Sequence, residues 1–160
     1  MKQSIFAVAA VSALACSAAM AGIPVIPAAT SNTDTKAYAG LNWTVDGGLT
    51  PALVLGVFHT KVKSNGDTTG GNLAFHVNLA GGVKPGKLKL SYLNGQDNLQ
   101  GEVGGGYDFI KAAPLVFLGV NSPHLAVGID GYMNPGLVPY ATVHTQDEFD
   151  LPAAAPAPVF

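Results

Sequence analysis

An all-β fold is predicted: an eight-stranded antiparallel up-and-down (meander) barrel, transmembrane, with an apolar exterior and a polar interior. Three observations predict it. Several separate stretches alternate large apolar residues with small or polar ones at a period of two, which is the signature of a strand with two unlike faces. Turn signals separate these stretches at regular intervals. Charged residues make up only 11% of the 160-residue chain, where roughly a quarter is usual for soluble domains. After the N-terminal segment, no run approaches the roughly 20 apolar residues that a membrane helix needs. A closed barrel is the other structure that can cross a bilayer with its backbone groups paired.

The ends of the chain read differently from its middle. Residues 1–21 have the form of a signal peptide. Lys2 supplies the positive start, Ile5 to Cys16 is a short apolar run, and Ala19-Met20-Ala21 is a small-x-small cleavage site. Cys16, after Ala13-Leu14-Ala15, also admits a lipoprotein reading, with Ala13 standing where a large aliphatic residue is expected. Cleavage after Ala21 leaves an exported chain with no cysteine and therefore no disulfide. Residues 22–35, built of Pro, Ala, Ser and Thr without periodicity, read as a flexible leader. Residues 36–145 hold the strands as one domain. Residues 146–160 form a Pro/Ala-rich tail that cannot be a strand interior, because proline cannot donate to a ladder.

Eight strands are expected: Lys36 to Val45, Ala52 to Lys63, Asn72 to Ala80, Lys87 to Leu93, Asn98 to Phe109, Pro114 to Val120, His124 to Met133 and Leu137 to Thr145. Asp46-Gly47-Gly48, Ser64-Asn65-Gly66-Asp67, Lys84-Pro85-Gly86, Asn94-Gly95, Asn121-Ser122-Pro123 and Asn134-Pro135-Gly136 punctuate them. Asn94-Gly95 is the strongest hairpin signal. The third strand sets the faces: Leu73, Phe75, Val77 and Leu79 against Asn72, Ala74, His76 and Asn78. The fourth opposes Lys87, Lys89 and Ser91 to Leu88, Leu90 and Tyr92.

Residues opposed in an antiparallel pair share a face. A turn centred between Asp67 and Thr68 places His59 opposite His76 and Lys61 opposite Ala74. Asn78 then faces Lys89. Across Asn94-Gly95, Lys87 faces Glu102 and Lys89 faces Gln100, or, one step over, Lys89 faces Glu102. The polar interior set is therefore His59, Lys61, His76, Asn78, Lys87, Lys89, Gln100, Glu102, Asp108, His124 and Asp130. The outward aromatic set is Trp43, Phe58, Phe75, Tyr92, Tyr107 and Phe109, as an aromatic girdle requires. A soluble barrel or sandwich with its faces exchanged fits the same periodicity. Low charge and export favour the membrane reading.

This arrangement of signal peptide, paired amphipathic strands and Gly-rich turns resembles the small eight-stranded outer-membrane β-barrels of Gram-negative bacteria over Lys36 to Thr145. No motif picks out a subfamily. The resemblance implies an outer-membrane location, lipid around the barrel, and insertion by the barrel assembly machinery. That machinery reads a terminal aromatic, for which Phe149 and Phe160 are the candidates. The longest connection, Ser64 to Gly71, falls on the side that holds the N-terminus, so a loop-borne binding site is expected to be small.

Chemistry is sparse. There is no arginine among the eight basic residues and the net charge is −2, so no nucleic-acid surface is expected. No His-Glu-x-x-His, Gly-x-Ser-x-Gly or phosphate-binding glycine pattern occurs, so no enzyme and no cofactor are expected. Gly104-Gly105-Gly106 reads as close packing in the barrel. His59 and His76 read as a polar interior pair rather than a metal site. Lys87, Lys89 and Glu102 read as an ion-pair network filling the lumen, joined by Asp108 and Asp130. The expected role is structural, envelope or surface-binding (adhesin-like), with no surface partner implied. The alternatives are a narrow channel, or a soluble periplasmic or secreted lipocalin-like binder of a small apolar ligand.

Overall fold

The computed structural model describes residues 30–46, 48–96, 98–133 and 136–153. The expected signal peptide, Cys16, most of the leader and Phe160 lie outside the described residues. Eight antiparallel strands close into a barrel in chain order. They are β1 (Ser31–Val45), β2 (Leu49–Lys63), β3 (Asp67–Asn78), β4 (Lys84–Gln96), β5 (Leu99–Asp108), β6 (Ala113–Ser122), β7 (Leu125–Tyr132) and β8 (Gly136–His144). Both ends of the described chain lie at the end of the barrel where β1 starts and β8 finishes, here the lower end.

The register determines the shape. Register partners can be followed around the barrel from Asn32 through Val62, Thr68, Gly95, Gln100, Asn121, Ala126 and Thr142. Thr142 then pairs with Asn42, so the circuit returns to β1 ten residues above its start. Ten residues at about 3.3 Å each, around eight strands about 4.8 Å apart, tilt the strands by about 40°. The even offset keeps one face inside throughout, and the residues on this circuit are buried except Asn32 and Gly95, which are half-buried.

The opposite face carries large apolar side chains. Val57, Leu73, Leu90, Val116 and Leu137 stand in one row across β2 to β8, with Gly105 and Gly131 between them, and all five are exposed. The next row holds Leu55, Phe75, Leu88, Tyr107 and Pro114.

Boundaries depart from expectation where tertiary pairing overrides local turn chemistry. β1 starts at Ser31, inside the expected leader, because β2 reaches down to Lys63 and pairs with it. Lys84-Pro85-Gly86 joins β4, and a bulge between His76 and Val77 absorbs the irregularity. Asn94 and Gly95 are also strand residues, and the pairing of β4 with β5 continues past them to Gln96 and Leu99. Gly95 is needed for close approach, since a Cβ there would lie 2.1 Å from the Leu99 carbonyl oxygen.

The largest correction concerns β2. The turn is Ser64-Asn65-Gly66, with Gly66 at φ 89° and its N–H donated to the Lys63 carbonyl at 3.0 Å. His76 therefore pairs with Val54, and His59 with Gly71. The expected register is off by five residues, an odd number, which exchanges the two faces of a strand. His59 and Lys61 point out, and Phe58 is buried at 1% exposure. The expected long connection shrinks to residues 64–66, and residues 67–71 become strand.

Candidate functional site: the barrel lumen and its rims

β4 places Lys87 and Lys89 on one face, two residues apart, and β7 brings Asp130 to meet them from the far wall. Strands β4 and β7 are not neighbours, so these contacts cross the lumen. Lys89 Nζ lies 2.5 Å from Asp130 Oδ1 and Lys87 Nζ 2.8 Å from Oδ2, with the Asp130 side chain fully buried. The Lys89 ammonium also sits 3.8 Å from the Tyr140 ring centroid and 4.3 Å from that of Phe117. Burying a carboxylate is costly unless it is paired; two ammonium groups on two oxygens, one of them held against ring faces, meet that demand.

A second network lies one level lower. Tyr38 Oη donates to Asn72 Oδ1 at 3.1 Å, and Asn72 Nδ2 donates to Glu102 Oε1 at 3.1 Å. The Ser91 hydroxyl donates to the same Glu102 oxygen. Glycines make room for the rings here. A Cβ on Gly56 would meet the Tyr38 ring at 2.4 Å, and one on Gly128 would meet Tyr140 Oη at 2.6 Å.

The lower end is apolar. Tyr38 stacks on Phe58 with ring centroids 4.6 Å apart, and Phe149 meets Phe58 edge-on at 5.9 Å. Leu93 is fully buried among them. Phe149 belongs to the tail, which lies against the lower half of β1, where β8 no longer reaches. Thr145 N–H donates to the Ala39 carbonyl at 2.8 Å, Asn32 Nδ2 donates to the Asp150 carbonyl at 3.2 Å, and Lys36 pairs with Asp150 at 2.7 Å.

The upper end is lined largely by polar side chains. A cavity of about 150 Å³ is lined by Asn42, Thr44, Asn78, His76, Lys87, Asp108 and Lys111, among others. Asp108 Oδ2 accepts from Tyr132 Oη at 2.7 Å, while its Oδ1 accepts the Ile110 and Lys111 N–H groups at 2.9 and 3.0 Å. Lys111 pairs with Asp46 at 2.6 Å across the mouth. A second cavity, of about 30 Å³, lies against Lys89, Glu102 and Tyr140. His76 lines both cavities, and its Nδ1 has no hydrogen-bond partner among the described residues.

Of the expected interior set, His76, Lys89, Gln100, Glu102, Asp108 and Asp130 are buried, and Lys87 and Asn78 are half-buried. The pairings differ from those expected: Lys89 lies opposite Gly106, Lys87 opposite Asp108, and Asn78 opposite Lys84. Asp130, not Glu102, is the acid that both lysines reach. His124 is exposed, in the tight turn between β6 and β7 at φ 64°, where its N–H donates to the Gln146 carbonyl at 2.9 Å. Of the expected outward aromatics, Tyr92, Tyr107 and Phe109 are exposed and Trp43 and Phe75 half-buried; Phe58 alone turns inward. Sequence reasoning missed His144, buried beside Tyr38 and Phe58, and the plugging role of Phe149.

On the outside, the lower end of β2 carries His59, Lys61 and Lys63, all exposed. His59 Nδ1 is 2.8 Å from the Thr35 hydroxyl and Lys63 Nζ 3.5 Å from Asp67. The Asn65 amide, with Lys63 beyond it, holds the exposed Asp67 carboxyl below the usual carboxylate range. Among the described residues, no group of three or more His, Cys, Asp or Glu is placed to hold a metal ion.

No protein-family model matches this chain, and no curated protein or solved structure matches it at a significant level. The closed eight-stranded barrel is therefore established from the chain's own geometry alone.

Proposed function

We propose that the barrel spans the outer membrane of a Gram-negative bacterium, with lipid around it and a filled lumen, and serves a structural, envelope or surface-binding role. The observation that carries this reading is the pair of exposed apolar rows running from β2 around to β8 and β6. An exposed apolar patch of this extent needs a partner, and a band that encircles a closed barrel fits lipid better than any one-sided protein contact. From Leu49 to Val57 on β2, the outward residues cover about 20 Å along the barrel axis, close to the roughly 25 Å expected of such a band. No helix among the described residues is long and apolar enough to cross a membrane, which leaves strands as the spanning elements in this reading.

The lumen argues for a closed barrel over an open channel. Aromatics fill the lower end, the Asp130 cluster crosses the middle, and the cavity between these is only about 30 Å³, room for little more than water. A lipocalin-like ligand site is disfavoured by the same crowding. Membrane fractionation followed by a detergent gel of unheated and boiled samples tests the proposal. The expected result is recovery with the outer membrane and a shift in migration on boiling. Recovery in the soluble periplasmic fraction without detergent would overturn it. Steady unit currents across a planar bilayer would overturn the filled-lumen part.

A further inference from the structure

We infer that Lys61 and Lys63 on the outer face of β2 form a seat for the headgroup of an anionic phospholipid at the lower edge of the barrel. This rests on the reading that the apolar rows face lipid. Side chains two apart on a strand share a face, so His59, Lys61 and Lys63 form a column directly beneath Val57, the last outward apolar residue of β2. With the strand tilted, Lys61 lies about 10 Å below Val57 along the axis. Headgroups occupy about 5–8 Å beyond the hydrocarbon on each side, and a lysine stem bends its ammonium back toward that layer.

The neighbours suit a phosphate. The register puts Thr33 on one side of Lys61 and Thr69 on the other, both on the outward face, so two hydroxyls can donate beside the ammonium. Lys61 has no ion-pair partner among the described residues. Lys63 has only the exposed Asp67 at 3.5 Å, a contact of little strength in water, and Asp67 is also engaged by Asn65 Nδ2 at 2.9 Å. Elsewhere the outward apolar rows carry no charge, so this column is the place where the outer surface can discriminate one headgroup from another.

The test folds the full chain into vesicles of equal phosphatidylcholine and phosphatidylglycerol, and reads the lipids retained on the released barrel by native mass spectrometry. Retained phosphatidylglycerol should exceed phosphatidylcholine. It should fall about fivefold for each of Lys61→Gln and Lys63→Gln, from the attraction of one lysine to an anionic surface. Lys84→Gln, at the upper end, should leave it unchanged. Each variant is first checked for the boiling shift, and Lys61→Gln alone suffices if Lys63→Gln does not fold. Equal retention of the two lipids, or retention indifferent to both lysines, would overturn the inference while the membrane reading stands. Inorganic phosphate bound in phosphatidylcholine vesicles, with no preference for phosphatidylglycerol, would overturn it in favour of a free anion. A chain that enters neither vesicle, showing no boiling shift, overturns the membrane reading and this inference with it.

Discussion

The middle and the lower end of the lumen hold the same barrel together by unlike means. The middle depends on three charges in fixed geometry: Asp130 with Lys87 and Lys89. The lower end depends on area and shape: Tyr38, Phe58 and Leu93 under Phe149. A charge cluster is all-or-none, because losing one partner leaves the others buried and unpaired. An apolar cluster is graded, because each side chain carries its own transfer and cavity cost. The middle ties β4 to β7 across the lumen and needs nothing from the tail. The lower end ties β1, β2 and β4 to the tail, which closes the barrel where β1 has outrun β8.

The contrast can be broken at each level. Asp130→Asn leaves two lysines facing a neutral amide and should destabilise the folded barrel by about 3–5 kcal/mol, read as the urea midpoint in detergent. Replacing Asp130, Lys87 and Lys89 together by leucine and methionines should recover most of that loss. A loss under about 1 kcal/mol for Asp130→Asn would mean that water from the upper cavity solvates the cluster. Leu118→Arg, on the outward face of β6, should cost about 2–4 kcal/mol in vesicles. In water an exposed substitution of this kind costs within about 0.5 kcal/mol, so a small effect in vesicles would count against the lipid contact. Phe149→Ala removes one edge contact on a half-buried ring and should cost about 1 kcal/mol, leaving the boiling shift intact. A larger loss would show that the tail is part of the folding unit rather than its cover.

Much of this was legible in the residue pattern, for a physical reason. In β3, Asn72 and His76 alternate with Leu73, Phe75 and Val77, so one face alone can be wet. β4, β5 and β7 are as plain: Lys89, Glu102 and Asp130 alternate with apolar neighbours, and all three are buried. β2 was not legible, because both of its faces are apolar in part. Leu53, Leu55 and Val57 are outward, and Val54, Phe58 and Val62 are inward. Only the length of the Ser64-Asn65-Gly66 turn decides between them, and a turn placed elsewhere by an odd number of residues moved His59, Lys61 and Phe58 to the wrong side. The apolar lower end was hidden for a related reason: its residues come from β1, β2, β4 and the tail, and no local period reports contacts between segments so far apart. His124 was misplaced because a turn residue at positive φ does not follow strand alternation.

The central claim is that the outward side chains meet lipid. The chain has one tryptophan, Trp43, on the outward face of β1 opposite Ala141 of β8. The most direct test is its fluorescence in vesicles whose acyl chains carry bromine. The account predicts a blue-shifted emission that the bromines quench strongly, with little effect from a quencher dissolved in the water. Emission near that of tryptophan in water, quenched by the aqueous agent and untouched by the brominated lipid, would contradict it.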